Sequence, residues 1–400
     1  MGFGFKKIVV LIIIAFLSQN VYSQRYFTKT YDIENGLPTR MVYDICQDTT
    51  GLIWLATYEG ISCYDGFKFM NYNGKDGLPI QKYKGIKLDE KGIIWSMPSY
   101  VYDTMVYYKD NAFVRIPPAE KNDQLYEANS FDIMYVNNKP VICMGCNNGF
   151  YLYADDTWKK ILISEIPEKN VVSKVIANKG KFYLSTRLGL CVLENGNPDW
   201  NLNDKLKDLS GKMLTIEFEN KGTPNEKLWA MSTDCIGYFE NDKFIVYKIN
   251  LTIPEFSNGN AAFMCFHKSN KIYFGNNWKK YYLDRNILKV FPLMGNNGFS
   301  SNGALSVFVD KEDDVWFTDT RGLDKIGKTS IVNYFEINGM LENEVSAFME
   351  FKDGTYLLGH NNGLTILNND NKCMRIPFNS GNLHSTRVLD MLRDLSLIHI

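Results

Sequence analysis

A segment that occurs twice at a fixed interval constrains this chain more than any other feature. "NGLPTRMVYDICQDTTGLIWLATYEG" begins at Asn35 and "DGLPIQKYKGIKLDEKGIIWSMPS" begins at Asp76. Gly36 and Gly77, Asp48 and Asp89, Gly51 and Gly92, and Trp54 and Trp95 are each 41 residues apart. Later copies are eroded. "VDKEDDVWFTDTRGL" keeps Asp310 and Trp316 at the six-residue spacing of Asp48 and Trp54. "NGMLENEVSAFMEFKDGTYLLGHNNGL" repeats the frame as Gly339, Val345, Gly354 and Gly363. Between them, "VICMGCNNGFYLY", "FYLSTRLGLCVL", "LWAMSTDCIGYF" and "IYFGNNWKKYYL" keep only strand, turn, strand. The count is eight units from Gly36 to about Ile376, a regularity that marks a repeat architecture.

Within one unit the physics is legible. Val42 to Gln47 is a β-rich run, and Asp48 to Gly51 opens with Asp and closes with Gly, the chemistry of a tight turn. Leu52 to Thr57 is the next strand, "YEG" turns it, "ISCYD" is a third, and "FKFMNY" a fourth. Four short antiparallel strands in roughly 43 residues is the period of a β-propeller blade. The expected fold is therefore all-β, a propeller of four-stranded antiparallel blades. Trp54 then sits on a central strand and fills the space between blades. A helical solenoid is excluded, because apolar residues alternate rather than recur at 3.6. Seven blades with the start of a second propeller is the expected count, and eight blades closing together is the alternative. Arg25 to Ile33 is a spare strand able to complete a last blade.

Lys6 and Lys7 precede an apolar run from Ile8 to Leu17, with Val21 and Ser23 at small-residue positions before Gln24. That is the plan of a secretory signal peptide over residues 1–23, the run being short for a membrane span. The expected domains are blades one to seven over 24–335 and an eighth repeat with the start of a ninth over 336–394. Val388 and Asp394 are spaced like Val42 and Asp48, but "LSLIHI" stands where glycine and tryptophan are due. Residues 395–400 are accordingly expected to be non-native or out of register. The eight cysteines are scattered through strand-like runs and read as small buried hydrophobes. Cys143 and Cys146 form a lone CxxC whose members face opposite sides of a strand, so no metal is expected there. With 44 basic and 45 acidic residues, the chain carries no electrostatic footprint for nucleic acid.

Gly36, Leu37, Pro38, Val42, Ile45, Asp48, Gly51, Ile53, Trp54, Thr57, Gly60, Ile61, Tyr64, Asp65 and Gly66 together resemble the two-component regulator propeller repeat. The resemblance implies the periplasmic sensor region of a sensor or hybrid histidine kinase of the Bacteroidetes type. It further implies an immunoglobulin-like domain, one membrane helix and a cytoplasmic kinase beyond this chain, acting as a homodimer. An exported propeller lyase or hydrolase, and a secreted interaction scaffold, are the competing classes. No cofactor and no catalytic residue is expected in this region.

Two motif matches carry little. "GLDKIGKT", Gly322 to Thr329, fits the P-loop pattern, but Gly322 aligns with Gly60, which makes "LDKI" a blade strand. Asp310, Glu312, Asp313 and Asp314 lack the glycine a calcium loop needs and read as a solvated hairpin. In a propeller, the loops between blades and those joining second to third strands share one face. The candidate ligand contacts there are Tyr58, Glu59, Asn147, Asn148, Arg187, Asn276, Asn277, Arg321, His360 and Asn361. Amide, guanidinium and phenol groups suit a glycan or another small polar ligand. The bland alternative is that Asn and Gly simply satisfy the turns. Asp48, Gly51, Trp54, Asp89, Gly92, Trp95, Asp310 and Trp316 are assigned to structure.

Overall fold

The computed structural model describes residues 25–26, 28–120, 125–166, 169–206, 213–241, 243–248, 262–294, 298–327, 332–334, 336, 339–368, 373–378 and 387–392. The expected signal peptide and the tail 395–400 lie outside them. The chain divides into two compact units, one spanning Thr28–Lys328 and the other formed from the residues on either side.

The Thr28–Lys328 unit holds seven four-stranded antiparallel sheets, here blades 1 to 7 in chain order. Blade 1 is a meander of Val42–Gln47, Ile53–Thr57, Gly60–Tyr64 and Phe69–Tyr72. The innermost strands are Val42–Gln47, Tyr83–Leu88, Ala128–Val136, Val172–Asn178, Met213–Glu219, Phe263–His267 and Ser306–Val309. Each packs on the next, and the seventh packs on the first, so the ring is closed. Blade 7 takes its fourth strand from the chain's start: Thr28–Tyr31 pairs antiparallel with Leu323–Ile326. The spare strand of the sequence thus has its partner. The unit is narrower than the expected 24–335, because Arg25–Tyr26 pairs with Val332–Asn333 instead. That pair belongs to the second unit, with a further sheet of Ala347–Glu350, Tyr356–Gly359, Gly363–Leu367 and Cys373–Pro377. This sheet leaves Phe348 and Met374 exposed.

The repeated Asp and Trp are bonded to each other. Asp48 Oδ1 accepts the amides of Thr50 (2.8 Å) and Leu52 (3.0 Å), while Oδ2 accepts the Trp54 indole N–H at 2.9 Å. Asp89 holds Lys91, Ile93 and Trp95 in the same way, with the indole at 2.7 Å. Asp310 does so for Glu312, Asp314 and Trp316, again at 2.7 Å. Each ring then wedges between blades. Trp54 stacks on Tyr72 and meets Tyr108 of blade 2 at 5.0 Å, and Trp316 stacks on Tyr31 and meets Tyr64 of blade 1. Blade 5 uses a substitute the sequence reading missed: Trp229 donates to Glu219 at 2.9 Å across a longer turn. Such rings combine large apolar area with a donor that needs a partner once buried.

Gly60 and Gly322 are required where they stand. Both have positive φ, and a Cβ would lie 2.2 Å from the carbonyl oxygen of Tyr72 or Tyr31 respectively. The strand Leu323–Ile326 confirms that "LDKI" belongs to a blade; Lys328 and Thr329 lie outside the described residues. The acidic hairpin departs from expectation. Asp310 and Asp314 are buried rather than solvated, because Asp310 serves the indole and Asp314 pairs with Lys325 at 2.5 Å. All eight cysteines are free and six are buried. Burial pushes the Cys63 thiol up to about 12 and Cys146 up to about 11, which leaves them unreactive.

Asp89→Ala strands three donors of its turn and the Tyr135 hydroxyl, which donates to Oδ2 at 2.5 Å. It should cost about 3 kcal/mol in chemical denaturation, whereas Thr50→Ala at the exposed turn should cost under about 0.5 kcal/mol. Asp48 supplies a pH test. Desolvation raises its pKa, but the donors Trp54, Thr50 and Leu52 outweigh this and hold the carboxyl below its ordinary value. A depressed folded pKa gives stability that is full above the unfolded value, about 4, and lost as pH falls through the folded one. Asp48→Asn should therefore flatten the fall in denaturation midpoint between about pH 5 and pH 2.

Candidate ligand-binding cleft

The blade turns and inter-blade loops expected to share a rim do not gather into one site. Tyr58 and Glu59 occupy a blade 1 turn closed by the Thr57 hydroxyl, which donates to the Gly60 carbonyl at 2.9 Å. The Tyr58 ring carries the Lys82 ammonium of the next loop at 4.4 Å from its centroid. Asn147 and Asn148 lie on blade 3, where Asn147 Oδ1 accepts from Asn129 at 2.9 Å. Arg187 belongs to blade 4, its amide bonded to the Val171 carbonyl. His360 and Asn361 fall in the other compact unit. His360 is wholly buried, with its ring nitrogens 2.7 Å from the Glu344 carbonyl and 2.9 Å from the Thr365 hydroxyl. It is a packing residue, not a rim contact.

Two of the expected residues do converge, Asn277 and Arg321. They line an open cleft of about 260 Å³ over blades 6 and 7, with Trp278, Ser301, Asn302 and Asp319. The local chemistry builds it from the turn upward. Asn276, also named as a contact, is 1% exposed; its Oδ1 accepts the amides of Trp278 (2.9 Å) and Lys279 (3.0 Å). This Asx turn lifts the Trp278 ring into solvent at 61% exposure. Asn276 thus shapes the site without facing it. Gly303 brings the opposite wall against Asn277, where a Cβ would lie 2.1 Å from the Asn277 carbonyl oxygen. Asn277 Oδ1 is buried and has no hydrogen-bond partner among the described residues, an unmet acceptor at the cleft wall. Arg321 reaches over with Nη1 donating to the Ser300 carbonyl at 3.3 Å.

The floor is charged. Asp319, 2% exposed, accepts from the Arg321 amide at 2.9 Å and from the Ser301 hydroxyl. Beneath it, Lys280 and Asp324 form an ion pair at 3.2 Å with both side chains at zero exposure. Burial pulls the Lys280 pKa down against the attraction of Asp324.

A second charged set lies on the inner strands and went unnoticed in the sequence. Lys87 pairs with Asp132 at 3.1 Å and Lys174 with Glu217 at 3.3 Å. Asp44 accepts the Ile86 amide at 3.1 Å. Burial opposes the ionisation of Asp132, but Lys87 and Lys221 outweigh it and hold its carboxyl below the usual range. Burial alone lifts the Asp44 carboxyl. The available signal was a charged residue recurring at the third or fifth position of successive inner strands. His267, on the ring, is buried at the far end of its strand, with Nε2 3.0 Å from the Asp313 carbonyl.

Residues 36–59 match the two component regulator propeller family. The extracellular domain of the putative hybrid two component system BT3049 from B. thetaiotaomicron superposes with a TM-score of 0.64 at 17% identity, over 93% of this chain and 51% of that one. The corresponding domain of BT4673 from B. thetaiotaomicron gives 0.55 at 14%, over 93% and 50%. A streptogramin B lyase gives 0.55 at 13%, over 77% of this chain and 99% of the lyase. No curated protein matches the sequence. At these identities the likeness establishes the fold, an all-β propeller carrying a two component regulator propeller repeat. The chain spans about half the length of the sensor domains it matches. Among the described residues no helix is long and apolar enough to cross a membrane.

Trp278 packs little and points outward, so Trp278→Ala should change folding stability by less than about 0.5 kcal/mol. Gly303→Ala forces the two cleft walls apart and should lower the thermal midpoint clearly, since backbone cannot yield to a Cβ at that distance.

Proposed function

We propose that this chain is the ligand-sensing propeller region of a two-component sensor, exported to the periplasm and continued in the full-length protein by membrane and kinase domains. The observation that carries the reading is a two component regulator propeller repeat on a ring with an open, aromatic-edged rim cleft. The cleft takes a small polar ligand such as a sugar. Trp278 offers a ring face, Asn277 Oδ1 an acceptor and Arg321 a fork of donors. Binding outside shifts the equilibrium between two poses of the sensor homodimer, which requires unequal affinity for those poses. The signal peptide, inner-membrane anchorage and kinase output belong to this proposal, as does the absence of chemistry in this region.

The lyase likeness keeps an exported propeller enzyme as the second reading. Against it, His267 and His360 are both buried and committed to internal bonds, and the thiols Cys63 and Cys146 are raised by burial. The test is incubation of the purified chain with a panel of oligosaccharides, followed by calorimetry and product analysis. The sensor reading expects saturable binding, no cleavage products, and at least a tenfold weaker Kd in Trp278→Ala, about 1.4 kcal/mol. Cleavage products, or binding indifferent to Trp278, would overturn it.

A further inference from the structure

We propose that Asp324 is a positioning residue that makes the cleft and the closure of the ring by the N-terminal strand a single linked event. Asp324 stands on Leu323–Ile326 directly opposite Thr30 of the closing strand. Its Oδ1 accepts the Thr30 hydroxyl at 2.7 Å. Its Oδ2 accepts the Lys280 ammonium at 3.2 Å and the Ser300 hydroxyl at 2.8 Å, and the Ser300 amide lies 3.1 Å from it. Four elements therefore meet on one buried carboxylate: the chain's start, blade 6, blade 7 and the loop before it.

Two of those partners carry the cleft. Ser300 precedes the wall residues Ser301 and Asn302, and its carbonyl holds Arg321. The Lys280 amide donates to the Asn302 carbonyl at 3.0 Å, and the Ala304 amide to the Asn276 carbonyl at 2.9 Å. The wall is thus suspended from Lys280 and Asp324, whose charges are buried together and need every partner in place. When Thr28–Tyr31 undocks, Asp324 loses its hydroxyl donor and its cover, water reaches the pair, and the wall loosens. Linkage makes the effect reciprocal: whatever binds the formed cleft stabilises strand docking by the same free energy. The functional consequence rests on the cleft being the ligand site, but the linkage itself does not.

Hydrogen exchange on the whole protein tests it without ligand. Thr30→Val removes one hydroxyl and nearly preserves shape. The expected result is exchange at least about tenfold faster at Thr28–Tyr31, and also at Ser300–Leu305 and Asp319–Gly322, with Val172–Asn178 of blade 4 unchanged. Thr30→Ser, which keeps the hydroxyl, should restore both distant segments; a merely structural loss would not distinguish the two variants. Acceleration confined to Thr28–Tyr31, or spread evenly around the ring, would overturn the proposal. Linked exchange in a protein that binds no oligosaccharide would uphold it while removing the ligand assignment.

Discussion

In blades 1, 2 and 7 a single carboxylate is shared between a turn and an indole, and the packing of those blades on their neighbours depends on it. A four-stranded meander has two faces and buries neither by itself, so each blade is stable only against its neighbours. Trp54, Trp95 and Trp316 supply the apolar volume between blades, and their N–H groups would be costly to bury unpaired. Asp48, Asp89 and Asp310 meet that need while fixing the turn that sets strand register. Local turn chemistry and inter-blade packing are therefore satisfied by the same six-residue spacing. That double duty explains why Asp310 and Trp316 stay together in blade 7, where other positions of the repeat have eroded.

The architecture was legible for the same reason. Asp and Gly at a fixed interval reveal turns, and turns reveal strands, so the blades could be read from Gly36 onward. The spare strand was legible too, as an unpaired β segment ahead of the first repeat. What stayed hidden depends on contacts between blades. Glu219 replaces aspartate and stands ten residues before Trp229, outside the six-residue spacing that marks the other pairs. The acidic hairpin looked solvated because Lys325, the partner of Asp314, comes from another strand of the blade.

The cleft shows how a turn rule can be right while the role assigned from it is wrong. Asn276 and Asn277 were named together as contacts. The first is consumed by the Asx turn, and the second keeps a buried acceptor without a partner among the described residues. Trp278 was overlooked inside a strand-turn-strand reading, yet the residue two beyond an Asx-turn asparagine is the one such a turn presents. Ser301, Gly303 and Asp319 could not be placed beside it from sequence. Their proximity exists only once blades 6 and 7 are adjacent.

The position of the cleft has a physical logic of its own. Six blades of the ring are continuous in sequence, whereas blade 7 takes one strand from the opposite end of the chain. Covalent continuity does not hold that seam; four backbone pairs and side-chain bonds such as Thr30 to Asp324 do. Undocking Thr28–Tyr31 would open this seam and leave the other six sheets, each continuous in sequence, intact. A ligand bound on a continuous part of the ring would stabilise structure that is already secure. A ligand bound over blades 6 and 7, beside the seam, adds its energy to the blade whose four strands are not continuous in sequence.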